Sequence, residues 1–365
     1  MQKQVTVYLG LGSNLGDRKA YIEKAIAMLG NLEGVEFVNS SSIIETLPLA
    51  ASSQGQYLNC VVEIKTSLSP EVLLEKTSAI ENQLCRTHNQ KWAPRTIDLD
   101  ILLFGDAIIN TDKLTIPHSQ MHLRTFALSG LCELNSQLIH PKLGESVSVL
   151  KKRLNGGDFY LSKDKPKLIN VCGMIGSGKT TLTKNLATVI EASAVYEPYD
   201  KNPFLSKVYA GNDDLALDSE LFFLISRADQ LSKESLQPGS IYISDYVYDK
   251  EPIFANKLLN TDQLELHAEL YPLIAAKTVL PVVVVYLKDS AANCLERIHQ
   301  RHRSYEQQIK LSFLESLGED YDKLIRSWKA CPVIEVDKSG FDCTDISDVT
   351  KLAEKLKCYI NCENF

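Results

Sequence analysis

Two aspartates stand one residue apart within an apolar run, in the segment WAPRTIDLDILLFG at residues 92–105. Apolar residues such as Leu99 and Ile101 alternate with polar ones, which predicts a β-strand. Residues two apart on a strand point to the same face, so Asp98 and Asp100 should emerge side by side. Two carboxylates at that spacing repel each other unless a cation lies between them, and such oxygen ligands suit Mg²⁺. The alternative is a sheet face that is simply in contact with water.

A second segment whose residue types suggest a chemical function is GMIGSGKT, at residues 173–180. It fits the pattern G-x-x-x-x-G-K-[ST], and it stands between a strand-like run and a helix-like run. Glycines in such a loop let backbone N–H groups surround phosphates at a helix N-terminus. The lysine would reach the β- and γ-phosphates, and the threonine hydroxyl would bind Mg²⁺. The predicted nucleotide-binding residues here are Gly173, Gly176, Gly178, Lys179 and Thr180, and the alternative is an ordinary glycine-rich turn.

The elements around the two aspartates alternate in type. VTVYLGLGSN and YLNCVVEIKTSL predict strands, whereas RKAYIEKAIAMLGNL and TFALSGLCEL carry the apolar spacing of helices. Ser69 and Pro70 open a further helix as its N-cap and its first residue. This alternation predicts an α+β domain.

Periodicity stops around the segment KKRLNGGDFYLSKDKPK, which contains glycines, a proline and many basic residues. After it, LINVCG, SIYISD and PVVVVYL are short apolar runs separated by long helical stretches, which predicts a parallel sheet flanked by helices. We therefore predict a two-domain α/β chain. Its first domain spans residues 1–155, a linker spans 156–166, and a P-loop nucleotide-binding domain spans 167–365.

Composition is that of a globular protein, with 44% hydrophobic and 23% charged residues among 365. A net charge of −7 argues against a nucleic-acid partner but allows small anionic ligands. The sequence has no run of 18 apolar residues and no recognisable signal peptide, so we expect a cytoplasmic protein without membrane association. Its nine cysteines lack the paired spacing of a zinc site and are expected to be reduced thiols.

Six segments of the first domain occur in a characteristic order: YLGLGSN, TLPLA, YLNCVV, APRTIDLDILLFG, TIPH and RTFAL. Together they resemble the 6-hydroxymethyl-7,8-dihydropterin pyrophosphokinase family of folate biosynthesis. The resemblance implies a ferredoxin-like fold and transfer of a diphosphoryl group from ATP to the pterin hydroxymethyl group, with release of AMP. Asp98 and Asp100 would then hold two Mg²⁺ ions, and Arg95 would act in catalysis on the phosphates.

The resemblance also implies the residues that bind the two substrates. Asn59 offers a donor and an acceptor to the pterin, and aromatic rings can stack on it. The implied pterin-binding residues are Thr46, Leu49, Tyr57, Asn59 and Phe126, and the implied nucleotide-binding residues are Arg86, Trp92, His118 and Arg124. The chain departs from the family pattern at TLPLA and at Ser119, in loops that cover the substrates.

Four segments of the second domain, YEPYDKNPFLSKVY, LFFLISR, DKEPIFA and RIHQRHRSYEQ, resemble the deoxynucleoside kinase family. The resemblance implies that Glu197 is the general base for the nucleoside 5′-hydroxyl and that Asp245 joins Thr180 at one Mg²⁺. It places Glu220 and Arg227 at the nucleoside. The implied lid residues are Arg297, Arg301, Arg303 and Glu306, with Arg297 and Arg301 catalytic, on one face of a helix, and Arg303 on the nucleotide.

Two departures stand out in the second domain. Tyr246 follows Asp245 where the family usually has an arginine, and Glu220 stands where a glutamine commonly pairs with the base. We expect a nucleoside kinase that uses ATP, although a nucleotide-binding regulatory module and a nucleoside monophosphate kinase are alternatives. The family resemblance also suggests a homodimer formed through this domain.

Overall fold

The computed structural model describes residues 4–48, 54–85, 94–162, 165–303 and 306–361. The chain forms two compact units that divide between Tyr160 and Leu161. This boundary lies inside the predicted linker. Residues 157–160 belong to the first unit, where the backbone N–H of Phe159 donates to Leu123 O and Asp158 accepts from Thr125.

Unit 1 contains nine strands and four helices among its described residues. The strands are β1 (Val5–Ser13), β2 (Val35–Ser40), β3 (Ile44–Thr46), β4 (Tyr57–Thr66), β5 (Asp98–Phe104), β6 (Ile109–Asn110), β7 (Thr115–Ile116), β8 (Ile139–His140) and β9 (Glu145–Ser146). The helices are α1 (Arg18–Gly30), α2 (Pro70–Gln83), α3 (Thr125–Asn135) and α4 (Val147–Arg153).

The main sheet of unit 1 is antiparallel, in the order β2-β4-β1-β5, with β3 paired to β4. Helices α1 and α2 bury Ile22, Leu29, Leu73 and Ile80 in one core with the sheet. Ser69 accepts a hydrogen bond from Val72 N at the start of α2, which confirms the predicted cap. The element order and the sheet order confirm the predicted ferredoxin-like arrangement.

Unit 2 contains five strands and eight helices among its described residues. The strands are β10 (Lys167–Cys172), β11 (Ser193–Val195), β12 (Ile241–Ser244), β13 (Val283–Lys288) and β14 (Val333–Asp337). The helices are α5 (Lys179–Ile190), α6 (Leu205–Tyr209), α7 (Ala216–Gln230), α8 (Glu251–Leu258), α9 (Thr261–Ala275), α10 (Ala291–Gln300), α11 (Leu311–Ser327) and α12 (Ile346–Ile360).

The sheet of unit 2 is parallel, in the order β11-β12-β10-β13-β14, and helices flank it as predicted. In such a sheet, side chains that follow the carboxyl ends of neighbouring strands meet at one edge. The P-loop follows β10, Glu197 follows β11 and Asp245 follows β12, so the fold brings these three segments together. None of the helices in the described parts of either unit is long and apolar enough to cross a bilayer.

Candidate functional sites

The two aspartates of unit 1 lie on the same face of β5. Asp98 and Asp100 are both half-buried, whereas Leu99 and Ile101 between and after them are in the core. Glu81 of α2 fixes this strand, because its carboxylate accepts the backbone N–H of Leu99 at 2.7 Å. The strand alternation predicted from the sequence is therefore confirmed.

Two glycines of β1 lie directly opposite the two aspartates. Gly10 pairs with Asp100 and Gly12 pairs with Asp98 in the antiparallel register. On its other side Gly12 pairs with Asn59 of β4, and a Cβ on Gly12 would lie 2.8 Å from Asn59 Oδ1. A side chain at Gly12 would therefore enter the space occupied by the Asn59 amide, whereas one at Gly10 would meet Leu102. Sequence reasoning quoted both glycines within a motif but gave them no function, since their position depends on strand register.

Arg95 is held beside Asp98 by its backbone and by its side chain. Its N–H donates to Asn14 Oδ1 at 2.6 Å, and Asn14 N donates to Arg95 O at 3.1 Å. Its guanidinium lies 2.5 Å from Asp98 Oδ2. Burial by itself would lower the pKa of Arg95, but the neighbouring Asp98 carboxylate outweighs it and raises that pKa. A cation bound at Asp98 would release this guanidinium for a phosphate oxygen.

Arg124 places a buried hydrogen-bond donor close to the face of β5 that carries the two aspartates. Its Nε has no hydrogen-bond partner in the described structure, and its guanidinium carbon lies 5.2 Å from the Phe126 ring centroid. Burial lowers the pKa of Arg124, while Asp158 and Asp100 oppose that shift. A buried, unpaired donor is costly, and an anionic phosphate would satisfy it.

Asn59 and His118 are each fixed by one hydrogen bond. Asn59 is 4% exposed and donates from Nδ2 to Thr46 Oγ1 at 2.8 Å, and Thr46 pairs with Tyr57 across the strands. His118 Nδ1 accepts from Gln120 N at 3.3 Å, so a neutral ring carries its proton on Nε2 and can donate it to a ligand. The other predicted residues of this site, Leu49, Arg86 and Trp92, lie outside the described residues.

The P-loop of unit 2 has the conformation that its sequence predicts. Gly173, Gly176 and Gly178 have φ of 144°, 83° and 96°, which favour glycine. Lys179 donates to Met174 O at 2.8 Å, and burial together with the charge of Lys250 lowers the pKa of Lys179 to about 8. The loop is therefore preformed for phosphate, with its lysine folded back onto its own backbone.

The loop opens into a cleft of about 890 Å³, a volume that includes open solvent. Its charged wall joins the P-loop to residues after β11 and β12 and to the segment after α10. Its apolar wall comes mainly from α6, α7, α8 and α11. The charged, hydroxyl-bearing and aromatic residues that line the cleft include Lys179, Thr180, Glu197, Tyr199, Glu220, Phe223, Arg227, Asp245, Lys250, Arg301, Arg303 and Glu306.

A network of buried charges surrounds Glu197. Its carboxylate contacts both Arg227 and Lys250, with Lys250 Nζ at 2.5 Å, while Arg227 also contacts Glu251. Burial by itself would raise the pKa of Glu197, but the charges of Arg227 and Lys250 outweigh it and hold that pKa well below its usual range. Glu197 is therefore an ionised carboxylate fixed between two cations. The roles of Lys250 and Glu251 were not predicted from the sequence, although DKEPIFA was quoted as a motif.

Two of the three predicted lid arginines line the cleft. Arg301 Nε donates to Glu306 Oε2 at 2.6 Å, and Arg303 donates to Tyr199 Oη at 2.5 Å, with its guanidinium carbon 4.1 Å from that ring centroid. Arg297 donates to Gly176 O of the P-loop at 2.7 Å and contacts Asp289. Arg301 is the C-cap of helix α10 and its backbone N–H donates to Arg297 O, so the two arginines stand one helical turn apart, and Arg301 lines the cleft.

Both units present oxygen ligands that fit Mg²⁺. In unit 2 Thr180 Oγ1 donates to Asp245 Oδ2 at 2.6 Å, so the hydroxyl and the carboxylate already converge. In unit 1 Asp98 and Asp100 lie on one face of β5 and pair across the strands with glycines of β1, which carry no side chains. Within the described ranges no three histidine, cysteine or acidic side chains cluster as a metal site. Mg²⁺ needs only one or two protein ligands when substrate phosphates supply others, so both pairs fit it.

Comparisons with known proteins assign each unit. The model of the family described as 7,8-dihydro-6-hydroxymethylpterin-pyrophosphokinase matches residues 8–136, and the deoxynucleoside kinase model matches residues 169–361. The 2-amino-4-hydroxy-6-hydroxymethyldihydropteridine pyrophosphokinase of Bacillus subtilis is 49% identical over 131 residues, which are 36% of this chain and 78% of that protein. The chain belongs to both families. It is an ATP-dependent kinase with a pyrophosphokinase unit and a deoxynucleoside kinase unit.

Other known proteins match parts of the chain. The Haemophilus influenzae pyrophosphokinase of the same name is 40% identical over 137 residues, which are 38% of this chain and 86% of that protein. The folic acid synthesis protein fol1 of Schizosaccharomyces pombe is 36% identical over 170 residues, 46% of this chain but 23% of that protein. The structure of deoxyadenosine kinase from M. mycoides with bound dATP is 21% identical, covers 52% of this chain and 99% of that one, and has a TM-score of 0.46.

Tyr246 and Lys250 lie close to a departure of the deoxynucleoside kinase unit from its family pattern. Tyr246 takes the sequence position of the usual arginine, but its side chain is fully buried and donates to Gln230 Oε1 at 2.8 Å. Lys250, four residues later, contacts Glu197, as Arg227 also does. The cleft therefore contains a lysine beside Glu197 whose role the sequence motifs did not indicate.

Proposed function

We propose that the pyrophosphokinase unit transfers the diphosphoryl group of ATP to the hydroxymethyl oxygen of 6-hydroxymethyl-7,8-dihydropterin. The oxygen attacks the β-phosphorus, the bond from that phosphorus to the α–β bridging oxygen breaks, and AMP leaves. The pairing of two half-buried aspartates with two glycines is the observation that carries this proposal. Asp98 and Asp100 would hold two Mg²⁺ ions, which when bound supply charge neutralisation for the phosphates.

In this reaction the side chains of unit 1 bind and orient both substrates. Arg95 and Arg124 hold phosphate oxygens, and the Nε2–H of His118 donates to the nucleotide. Asn59 pairs with the pterin edge, while Tyr57 and Phe126 offer stacking faces. From the family resemblance, we propose that Arg86 and Trp92 bind the nucleotide and that Leu49 binds the pterin.

We further propose that the second unit phosphorylates the 5′-hydroxyl of a deoxynucleoside. Glu197 accepts the hydroxyl proton as the oxygen bonds to the γ-phosphorus, and ADP leaves with the β–γ bridging oxygen. The P-loop and Lys179 hold the phosphates, and Arg301 and Arg303 face the transferring group. Thr180 and Asp245 would hold one Mg²⁺. An ionised Glu197 between two cations supports this proposal over a purely regulatory nucleotide site.

One experiment tests both reactions on the full chain. The protein is incubated with ATP and Mg²⁺, either with the hydroxymethylpterin or with each common deoxynucleoside and its monophosphate, and AMP is resolved from ADP. Asp98→Asn and Asp100→Asn should each reduce AMP formation by about 10²-fold or more while leaving ADP formation intact. Lys179→Ala should have the converse effect, and the exposed control Asp106→Asn should change neither.

Each alternative predicts a different outcome of that experiment. Nucleotide binding without any phosphorylated product would identify the second unit as a regulatory module. Phosphorylation of a monophosphate in preference to its nucleoside would identify a monophosphate kinase. Unchanged AMP formation in both aspartate variants would contradict the proposed metal site of unit 1.

We also propose that the protein forms a homodimer through unit 2. Helices α7 and α9 pack against each other and expose apolar side chains, among them Ile225 at 60%, Leu273 at 68% and Leu266 at 44%. An apolar surface of this kind suits a second copy of the chain. We place the protein in the cytoplasm, where unpaired cysteines such as those described remain reduced.

A further inference from the structure

Asp158 caps a helix whose first residue stands 33 positions earlier in the chain. Its Oδ1 accepts the backbone N–H of Thr125 at 2.5 Å and the hydroxyl of the same residue at 2.8 Å. Thr125 is the first residue of α3, and Arg124, which precedes it, forms no side-chain cap of its own. Helices α1, α2 and α4 are each capped by the side chain of the residue that precedes them. Helix α3 instead takes its cap from a distant part of the chain.

The capped end of α3 carries two residues that are predicted to bind the substrates of unit 1. Arg124 precedes the helix, Phe126 is its second residue, and the Arg124 guanidinium carbon lies 5.2 Å from the Phe126 ring centroid. Burial lowers the pKa of Arg124, and the carboxylate of Asp158 is the strongest of the neighbouring charges that oppose this shift. Asp158 therefore fixes the backbone at the start of α3 and places a negative charge beside Arg124, at a helix end that favours such a charge.

A turn after α4 brings the chain back to the start of α3. Asn155 and Gly156 have φ of 46° and 79°, in the left-handed region that reverses a chain after a helix. Beyond the turn, the backbone N–H of Phe159 donates to Leu123 O at 2.9 Å. Together with the cap, this hydrogen bond holds the residues on both sides of Arg124. The segment at the end of unit 1 is thus attached to the part of the fold that presents the arginine.

We propose that Asp158 is a positioning residue of the pyrophosphokinase reaction, which keeps Arg124 and Phe126 in place by capping α3. Asp158 lies beyond residues 8–136, which match the pyrophosphokinase family model. It acts through the first turn of α3 rather than on a substrate. Loss of the cap frays this turn, and Arg124 and Phe126 then lose their fixed positions toward the phosphates and the pterin. This inference rests on the pyrophosphokinase activity proposed above.

The test measures steady-state AMP formation by the full chain and two variants of Asp158. Asp158→Ala should raise the KM for ATP and for the pterin at least about fivefold, with a smaller change in kcat. Asp158→Asn keeps an oxygen that accepts both hydrogen bonds from Thr125, so its KM values should stay within about twofold of the native ones. ADP formation by unit 2 should be unchanged in both variants. Native KM values in Asp158→Ala, or an equal loss in Asp158→Asn, would overturn the proposal.

Ser146→Ala is the matched control, because it removes the side-chain cap of the neighbouring helix α4. It should lower the melting temperature of unit 1 by about 2–4 °C, as Asp158→Ala should, but leave both KM values unchanged. An equal rise of KM in Ser146→Ala would show that any loss of stability in unit 1 weakens substrate binding, and it would contradict a specific role of Asp158.

A second measurement separates failure of this inference from failure of the proposed activity. Hydrogen exchange of the full chain without substrates is followed by mass spectrometry in peptides that contain the first turn of α3. Exchange there should be at least about fivefold faster in Asp158→Ala, and native in Asp158→Asn and Ser146→Ala. If this result is found but the native chain forms no AMP with the pterin, the proposed activity is wrong while the cap is confirmed. Faster exchange with unchanged KM values would show that the cap serves the fold alone, and native exchange in Asp158→Ala would refute the cap itself.

Discussion

Lys250 carries a positive charge into a part of the cleft that water scarcely reaches. It is 3% exposed, its ammonium lies 2.5 Å from Glu197, and the rings of Tyr246 and Phe254 lie within 6 Å of it. Burial and Arg227 lower the pKa of Lys250, whereas Glu197 raises it. A cation at this position holds the proposed general base, and in the proposed reaction it would face the transferring phosphoryl group.

We therefore predict that Lys250→Met lowers kcat for nucleoside phosphorylation by about 10²-fold, with a smaller change in KM for the nucleoside. The physical reason is that an arriving negative charge loses a preorganised cation, whereas the apolar wall that binds the nucleoside stays in place. Steady-state ADP formation at saturating ATP measures both constants. Lys277→Met, on an exposed residue after α9, should behave as the native protein does. An unchanged kcat in Lys250→Met would show that Arg227 alone suffices beside Glu197.

The low pKa of Glu197 affects how the activity should depend on pH. Because Arg227 and Lys250 stabilise its carboxylate, Glu197 stays ionised as pH falls through the usual range of a glutamate. Loss of activity on mild acidification would therefore come from groups other than this base. A carboxylate with such a low pKa is a weak base. It suits a reaction in which the nucleoside hydroxyl loses its proton late, when the bond from its oxygen to the phosphorus is already largely formed.

At the scale of elements, the site of unit 1 is made by three neighbouring strands. Strand β1 lies between β4 and β5, so one glycine of β1 separates Asn59 on one side from Asp98 on the other. The strand register therefore sets the spacing between the Asn59 amide, which is predicted to bind the pterin, and the two aspartates, which are predicted to bind metal. Loops contribute side chains to this site, but the central strand supplies its floor.

We predict that Gly12→Ala raises the Kd for the pterin by at least about tenfold, which corresponds to about 1.4 kcal/mol. The new Cβ would lie 2.8 Å from Asn59 Oδ1, and the amide would have to move away from Thr46. Since only the end of a side chain must move, the melting temperature should change little. Fluorescence titration with the pterin and a thermal melt measure the two effects. Gly30→Ala at the end of α1, where a Cβ meets its nearest neighbour at 3.7 Å, is the matched control.

The sequence predicted secondary-structure elements better than it predicted contacts between residues that are far apart in the chain. The strand at Asp98, the capped helix at Ser69 and the P-loop were all accessible, because each depends on local periodicity or on a local motif. Gly10, Gly12 and Lys250 were not, because their importance arises from residues far away in the chain. Arg297 and Arg301 stand one helical turn apart as their spacing predicts, but their side-chain partners differ: Arg297 contacts the P-loop backbone and Asp289, and Arg301 contacts Glu306.

At the scale of the whole molecule, the exposed apolar surface of α7 and α9 predicts self-association. We expect the native chain to sediment as a dimer and the double variant Ile225→Glu, Leu273→Glu to sediment as a monomer, because buried, unpaired charges would oppose the interface. Analytical ultracentrifugation measures this difference. Ile346→Glu alters an equally exposed residue of α12 and should leave the dimer intact. A native chain that sediments as a monomer would contradict the proposed interface.

Every strand of the antiparallel sheet precedes every strand of the parallel sheet along the chain, since β5 ends at Phe104 and β10 begins at Lys167. During translation, the first sheet can therefore close before the ribosome has made any strand of the second. Nascent strands of the two sheets then have little opportunity to pair wrongly, which is a hazard when large chains fold through partly exposed intermediates. Reversing the order of the two units in the gene would make the strands of the parallel sheet emerge first.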